Sequence, residues 1–224
     1  MKTFHSILFI LLFGSFVFAQ DSTWQYGYQF GANLSSFTGN NPYGEQYSNF
    51  GLNFGVYFKY RLSDFSKIYA EIRYISKGAR WGCTWIPISD CDGDVRNYDI
   101  SYLQIPIYYS ASVMRFDDQA ELLALQVGPY FSYPLSASVT DLYSDAPGDF
   151  IPSSAGRNIE DYLRSVDYGI SVGLQLYHNK NHNIFFRFVF DLSVSSLFKE
   201  DYIPESGDSK NTLKSFIVFF GIET

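Results

Sequence analysis

The chain has 224 residues, of which 16 are basic and 23 acidic, and 20% of all residues are aromatic. A net charge of −7 argues against nucleic acid as a partner, because phosphate binding needs a basic stripe. The aromatic content is high for a soluble domain and typical of the interfacial girdles of membrane barrels.

The N-terminal segment MKTFHSILFILLFGSFVFAQ predicts a secretory signal peptide over residues 1–19. Lys2 precedes an apolar stretch that ends at the small residue Ala19, which is the pattern of a cleaved signal sequence. The alternative is a membrane-spanning helix, but the apolar run is short for one, and no other run approaches that length. If the mature chain, residues 20–224, is a membrane protein, it must therefore be a β-barrel.

Eight segments alternate apolar with polar or small residues between turn residues, which predicts eight strands. They span residues 25–37, 49–61, 67–77, 98–113, 121–135, 166–176, 183–197 and 212–224. In the sixth, VDYGISVGLQL, one face is apolar throughout, and the other carries mostly Gly and Ser. Because Gly packs nothing on a solvated face, this pattern favours an apolar face toward lipid and a small face toward a crowded barrel interior.

The connections alternate in length. LSDFS, MRFDDQ and HNKNH are short, and the other connections are long and rich in Gly, Pro, Asn, Asp and Ser. Outer-membrane barrels have short periplasmic turns and long external loops. We therefore predict an all-β fold: an eight-stranded antiparallel up-and-down transmembrane β-barrel in the outer membrane, with lipid around it. The alternative is a soluble lipocalin-like ligand-binding barrel, which turns its apolar face inward and needs charged outer strand surfaces.

Seven charged residues fall on the predicted inward face: Lys59, Arg61, Glu71, Arg73, Asp167, Arg187 and Asp191. Opposite charges that are buried together must pair to offset their desolvation. We predict an interior salt-bridge network that fills a barrel too narrow for a water channel. A proton or ion path through the same residues is the alternative.

Cys83 and Cys91 lie in one short stretch, which in an oxidising compartment predicts a disulfide rather than two free thiols. Asp90, Asp92 and Asp94 alternate in the same stretch. The Gly and Glu of an EF-hand loop are not in their places, so a solvated acidic loop is favoured over a weak calcium site.

Nothing in the sequence points to an enzyme or to a cofactor. His178 and His182 are the only histidines after the signal peptide, and both lie in the predicted periplasmic turn HNKNH. No external His-based triad is therefore available. The pair is expected to be solvated rather than to bind a metal.

The third long loop, residues 136–165, is acidic and contains several aromatic residues, with a short helix predicted near 158–164. Long loops on a rigid scaffold carry the binding surfaces of barrels. This loop and the Cys83/Cys91 loop are therefore where a protein partner would bind, unless they are mobile surface loops with no partner.

Six segments in chain order resemble the PorT-like outer-membrane β-barrel family typical of Bacteroidetes: GANLSSF, IYAEIRYISKGA, SYLQIPIYYS, GPYFSYPLSA, VDYGISVGLQL and FFRFVFDLSVSSLF. The resemblance covers nearly all of the mature chain. The resemblance implies a non-enzymatic outer-membrane barrel. Because the founding member of the family is linked to protein export, the resemblance also implies a secretion-accessory role. Passage of a small solute or hydrophobic compound is the alternative, and a monomer is expected. The chain departs from the family by ending in Glu223 and Thr224 rather than in an aromatic residue, and by its Cys83/Cys91 loop.

Overall fold

The computed structural model describes residues 24–38, 45–82, 95–115, 121–146, 149–152, 156–178, 184–199 and 212–223. The predicted signal peptide and disulfide, His182, and the loop that carries Asp90, Asp92 and Asp94 lie outside the described residues. Within the described ranges, no helix has the length and apolar character needed to cross a membrane.

The described residues form strands β1 (Trp24–Thr38), β2 (Glu45–Ser63), β3 (Ser66–Gly82), β4 (Val95–Arg115), β5 (Glu121–Ala146), β6 (Asp149–Pro152), β7 (Arg157–Asn158), β8 (Asp167–Tyr177), β9 (Ile184–Ser193) and β10 (Thr212–Glu223). Eight of them form a closed antiparallel ring in the order β1, β2, β3, β4, β5, β8, β9, β10, and β10 pairs back onto β1. The predicted eight-stranded up-and-down barrel is confirmed. The short strands β6 and β7 pair with β5 beyond this ring.

The barrel has a shear of ten residues. Paired positions lead around the ring from Trp24 through Tyr60, Ile68, Tyr109, Val127, Val172, Phe190 and Phe216, and return to β1 at Leu34. Leu34 lies ten residues beyond Trp24. With eight strands, such a stagger goes with a strand tilt of about 40° and an interior that side chains can fill.

The outer surface of the ring is apolar. Large apolar side chains that point away from the interior are about half exposed on every strand of the ring, for example Phe54 at 60% and Val172 at 49%. Their alternating partners are buried. This is the reverse of a soluble ligand-binding barrel, and it excludes the lipocalin-like alternative, because such a surface needs a hydrocarbon solvent.

The strands differ greatly in length. β5 has 26 residues, whereas β8 and β9 have 11 and 10. The prediction of a loop from residue 136 was wrong in its first part, since β5 continues to Ala146. Its Ser, Thr and Asp residues suggested a loop, but β4 and β7 pair with them there. The ring therefore has a tall side, β2 to β5, and a low side, β8 and β9.

Candidate functional site

The barrel interior contains ten buried charged side chains among the described residues. Five are basic and five acidic: Lys59, Lys67, Arg73, Lys77 and Arg187, with Glu71, Glu121, Asp167, Asp191 and Glu223. Their formal charges cancel, whereas the whole chain carries −7. The net charge of the protein is therefore carried outside the interior.

Six of the seven predicted interior charges are buried, and Arg61 is not. Arg61 lies at the end of β2, close to the turn at residues 64–65, and is exposed. It shares the inward parity of Lys59, but it lies one residue beyond Tyr60, the residue that pairs with the first described residue of β1, Trp24. The prediction for Arg61 was wrong.

Four interior charges were missed: Lys67, Lys77, Glu121 and Glu223. A signal existed for two of them, since Lys67 and Lys77 have the same parity along β3 as Glu71 and Arg73. Glu121 and Glu223 lie at strand ends, where sequence cannot separate an interior residue from a solvated one.

Glu71 joins two arginines at the centre of the lumen. Its Oε1 pairs with Arg187 on β9, and its Oε2 lies 3.5 Å from Nη1 of Arg73 and accepts a hydrogen bond from Nε2 of Gln29 at 2.9 Å. β3 and β9 are four places apart in a ring of eight, so the Glu71–Arg187 pair crosses the full diameter.

Asp191 forms a second centre on the loop side of the first. It accepts hydrogen bonds from Arg73 Nη2 at 2.7 Å, from Lys77 Nζ and Gln104 Nε2 at 3.1 Å each, and from Ser171 Oγ at 2.5 Å. These donors come from β3, β4 and β8. Asp191 therefore links β9 to three other strands, and these hydrogen-bonded charge pairs offset the cost of burying the carboxylate.

Aromatic rings fill the space around the two arginines. The ring of Phe219 lies 5.3 Å from the guanidinium of Arg73 and 4.6 Å from that of Arg187. Arg187 also lies 4.9 Å from the Tyr69 ring and 5.5 Å from the Tyr108 ring. Cation–π contacts of this kind stabilise a desolvated guanidinium.

Near the short turns, an aromatic cage surrounds Lys59. Its Nζ lies 4.9 to 5.3 Å from the centres of four rings, those of Tyr57, Tyr69, Tyr177 and Phe185. The same nitrogen pairs with Glu223 and donates to the Tyr177 hydroxyl at 2.8 Å. Beside the cage, Lys67 pairs with Glu121 at 2.6 Å. The turn end of the lumen is therefore closed by rings and ion pairs.

At the opposite end, two chain segments fold over the mouth. We call residues 157–166 and 194–199 the lid. Their backbones are joined by hydrogen bonds from Arg164 N to Leu197 O at 3.1 Å and from Lys199 N to Tyr162 O at 3.0 Å. Lid side chains complete one buried apolar cluster with the wall: Ile159, Leu163, Leu197 and Phe198 pack with residues that include Phe37 and Tyr98.

The lid contains the short helix predicted near 158–164, reduced to one 3₁₀ turn, Glu160–Tyr162. Asp167, the first residue of β8, accepts hydrogen bonds from the hydroxyls of Ser193 and Ser195, the second at 2.6 Å. Because Ser195 belongs to the lid, this carboxylate links the lid to the wall of the barrel.

The interior charges of the described residues pair with one another and pack against aromatic rings. His178 is exposed at the end of β8, away from the lid. In the described part of the chain, no three His, Cys, Asp or Glu side chains are placed to hold a metal ion.

The comparison with protein families agrees with the fold. A family model described as "Outer membrane protein beta-barrel domain" matches residues 18–199. No curated protein matches the sequence. Among solved structures, Neisserial surface protein A is similar at a TM-score of 0.46 and 10% identity, over 91% of this chain and 97% of that one. Ail, the attachment invasion locus protein of Yersinia pestis, solved with the heparin analogue sucrose octasulfate, gives 0.44 and 11%, over 90% and 99%. Outer membrane protein OprG from Pseudomonas aeruginosa gives 0.36 and 12%, over 90% and 94%.

Proposed function

The chain belongs to the outer membrane protein β-barrel domain family and resides in the outer membrane, and on that premise we propose that it is a non-enzymatic, monomeric barrel with a filled interior that presents external loops to a protein partner. The PorT-like resemblance implies that this partner is a component of protein export, in which case the barrel acts as a secretion accessory.

One observation supports a presenting barrel over a passage: the lumen is obstructed at three levels. The Lys59 cage lies at the turn end, the Glu71–Arg187 pair crosses the middle, and the lid covers the mouth. A solute would have to break buried ion pairs, and breaking such a pair is costly because it leaves an uncompensated charge. Solute passage is therefore the weaker candidate.

The tall side of the ring gives the loops their position. β4 and β5 pair from Val95↔Leu142 onward, beyond the point where β8 begins opposite Ser132. A partner outside the cell would meet this sheet first, together with β6. Loops held on a rigid sheet are suited to binding.

A deletion strain tests the export role. We would compare the secreted and surface proteomes of the parent, the deletion strain and strains complemented with the full chain or with residues 143–152 replaced by Asn-Gly. A secretion accessory predicts that exported proteins accumulate in the periplasm of the deletion strain and that the full chain restores export. If the shortened hairpin also fails to restore export, the tall side is the contact. Unchanged proteomes in the deletion strain would reject the role.

Planar bilayer recordings test the filled interior separately. The purified barrel is expected to give no stable conductance steps. Reproducible steps from the unaltered chain would favour solute passage.

A further inference from the structure

We infer that the interior holds a seam of bound water along β4, β5 and β8, on the side of the lumen where charges do not pair directly. Nine neutral side chains of the described residues have a buried polar atom without a hydrogen-bond partner. Seven of them lie on these three neighbouring strands, and six of the seven have the inward parity of their strand: Tyr102, Tyr108, Ser112, Gln126, Ser132 and Gln175. The seventh, Asn97, has the outward parity of β4, and the other two, Asn53 and Ser215, lie on β2 and β10.

Unpaired buried polar atoms are costly, and native proteins satisfy nearly all of them. Where no protein group is in reach, a bound water with two to four polar partners does so. A row of hydroxyls and amides along one side of a lumen supplies such partners, whereas the ion pairs of β3 and β9 satisfy each other. Water is therefore the ligand that this side chain chemistry selects.

The middle of the seam shows this most directly. Gln126 Nε2 donates to Gln175 Oε1 at 2.7 Å, which leaves an acceptor, Gln126 Oε1, and a donor, Gln175 Nε2, without partners. The Tyr108 hydroxyl is also unpaired, and its ring lies against Arg187, whose Nη1 pairs with Glu71 while Nε and Nη2 have no hydrogen-bond partner. The seam thus adjoins the central ion pair at Arg187.

Space beside Gln126 comes from a glycine. Gly173 is its paired position on β8. A methyl group added at Gly173 would lie 3.3 Å from Gln126 Oε1 and 3.4 Å from the nearest atoms of residues 188 and 189, so it would fit after small adjustments. Gly169, on the same strand, leaves no such space, because a methyl there would lie 2.0 Å from the Leu192 carbonyl oxygen.

Solid-state NMR in lipid, with ¹⁵N-labelled glutamine and magnetisation transferred from water, tests the inference. The controls are in the same sample: Gln29 and Gln104 donate to Glu71 and Asp191 on the ion-paired side and are equally buried. Gln126→Leu and Gln175→Leu variants assign the signals. We expect transfer to Gln126 and Gln175 to build up several-fold faster than transfer to Gln29 and Gln104.

The Gly173→Ala variant adds the matched perturbation. Its methyl group takes the space beside Gln126 Oε1, so transfer to Gln126 is expected to fall severalfold while the Gln29 and Gln104 signals stay unchanged and report an intact barrel. Equally slow transfer to all four glutamines, or equally fast transfer, would overturn the seam. The inference is independent of the proposed function, because water confined between the lid and the Lys59 cage gives no conductance.

Discussion

Replacing Glu71 with Gln tests how far the buried charges hold the barrel together. The amide keeps the shape of the side chain but removes the charge that faces Arg187 and Arg73, both fully buried. The interior then changes from balanced to one net positive charge. Removing one partner of a buried pair costs about 3–5 kcal/mol, because the other charge remains uncompensated. We expect Glu71→Gln to lower the free energy of unfolding by that amount.

Urea unfolding in phospholipid vesicles, followed by tryptophan fluorescence, measures the change. Glu160→Gln is the matched control, since Glu160 is exposed in the 3₁₀ turn of the lid. A surface substitution of this kind is expected to stay within about 0.5 kcal/mol of the unaltered chain.

A double variant, Glu71→Gln with Arg187→Met, separates charge from packing. Removing both partners removes the uncompensated guanidinium, so the double variant should be more stable than Glu71→Gln alone. If Glu71→Gln unfolds like Glu160→Gln, the central pair does not carry the stability of the barrel, and the reasoning fails.

Two further predictions concern the two faces of the wall. Val172→Arg, at the middle of β8 on the outer face, should lower the free energy of unfolding by about 2–4 kcal/mol in the same urea assay. Val194→Arg, beyond the end of β9, should lower it by only about 0–1 kcal/mol. Equal losses for the two variants would contradict the assigned apolar band. Gly221→Val should prevent the barrel from closing, because a Cβ at Gly221 would lie 2.1 Å from the ring of Phe185. Heat-modifiability on a gel checks this, with Gly156→Ala as a control where a Cβ meets nothing closer than 3.2 Å; a normally folded Gly221→Val band would show that Phe185 can move away.

The strands of the ring could be predicted because lipid imposes a strict alternation on them. Val166–Leu176 illustrates this, since its apolar and small faces are the outer and inner faces of β8. Alternation shows which face of the strand a residue lies on, but not how far along the barrel axis it lies. For this reason Arg61 was predicted to lie inside. Alternation also stops being visible where a strand leaves the hydrocarbon, which is why the outer half of β5 was predicted as a loop.

The site itself was less accessible from sequence. Parity places Glu71 and Arg73 inside, but which charge faces which depends on the shear, and no local pattern encodes that two strands lie across a diameter. The lid was also hidden, because Ile159, Leu163 and Phe198 lie in short segments without a strand or helix periodicity. Glu223, which departs from the aromatic end of the resembled family, pairs with Lys59 inside the lumen.

The unequal strand lengths make the barrel asymmetric about its axis. At about 3.3 Å per residue and a tilt of about 40°, β5 rises about 65 Å and β8 about 28 Å. The low side therefore ends where the hydrocarbon ends, about 25 Å across, and the lid lies among the lipid headgroups. The tall side stands clear of them as a sheet. A large partner that approaches along the membrane plane would meet this sheet from one direction only. The rotation of the barrel about the membrane normal would then decide whether the two can bind.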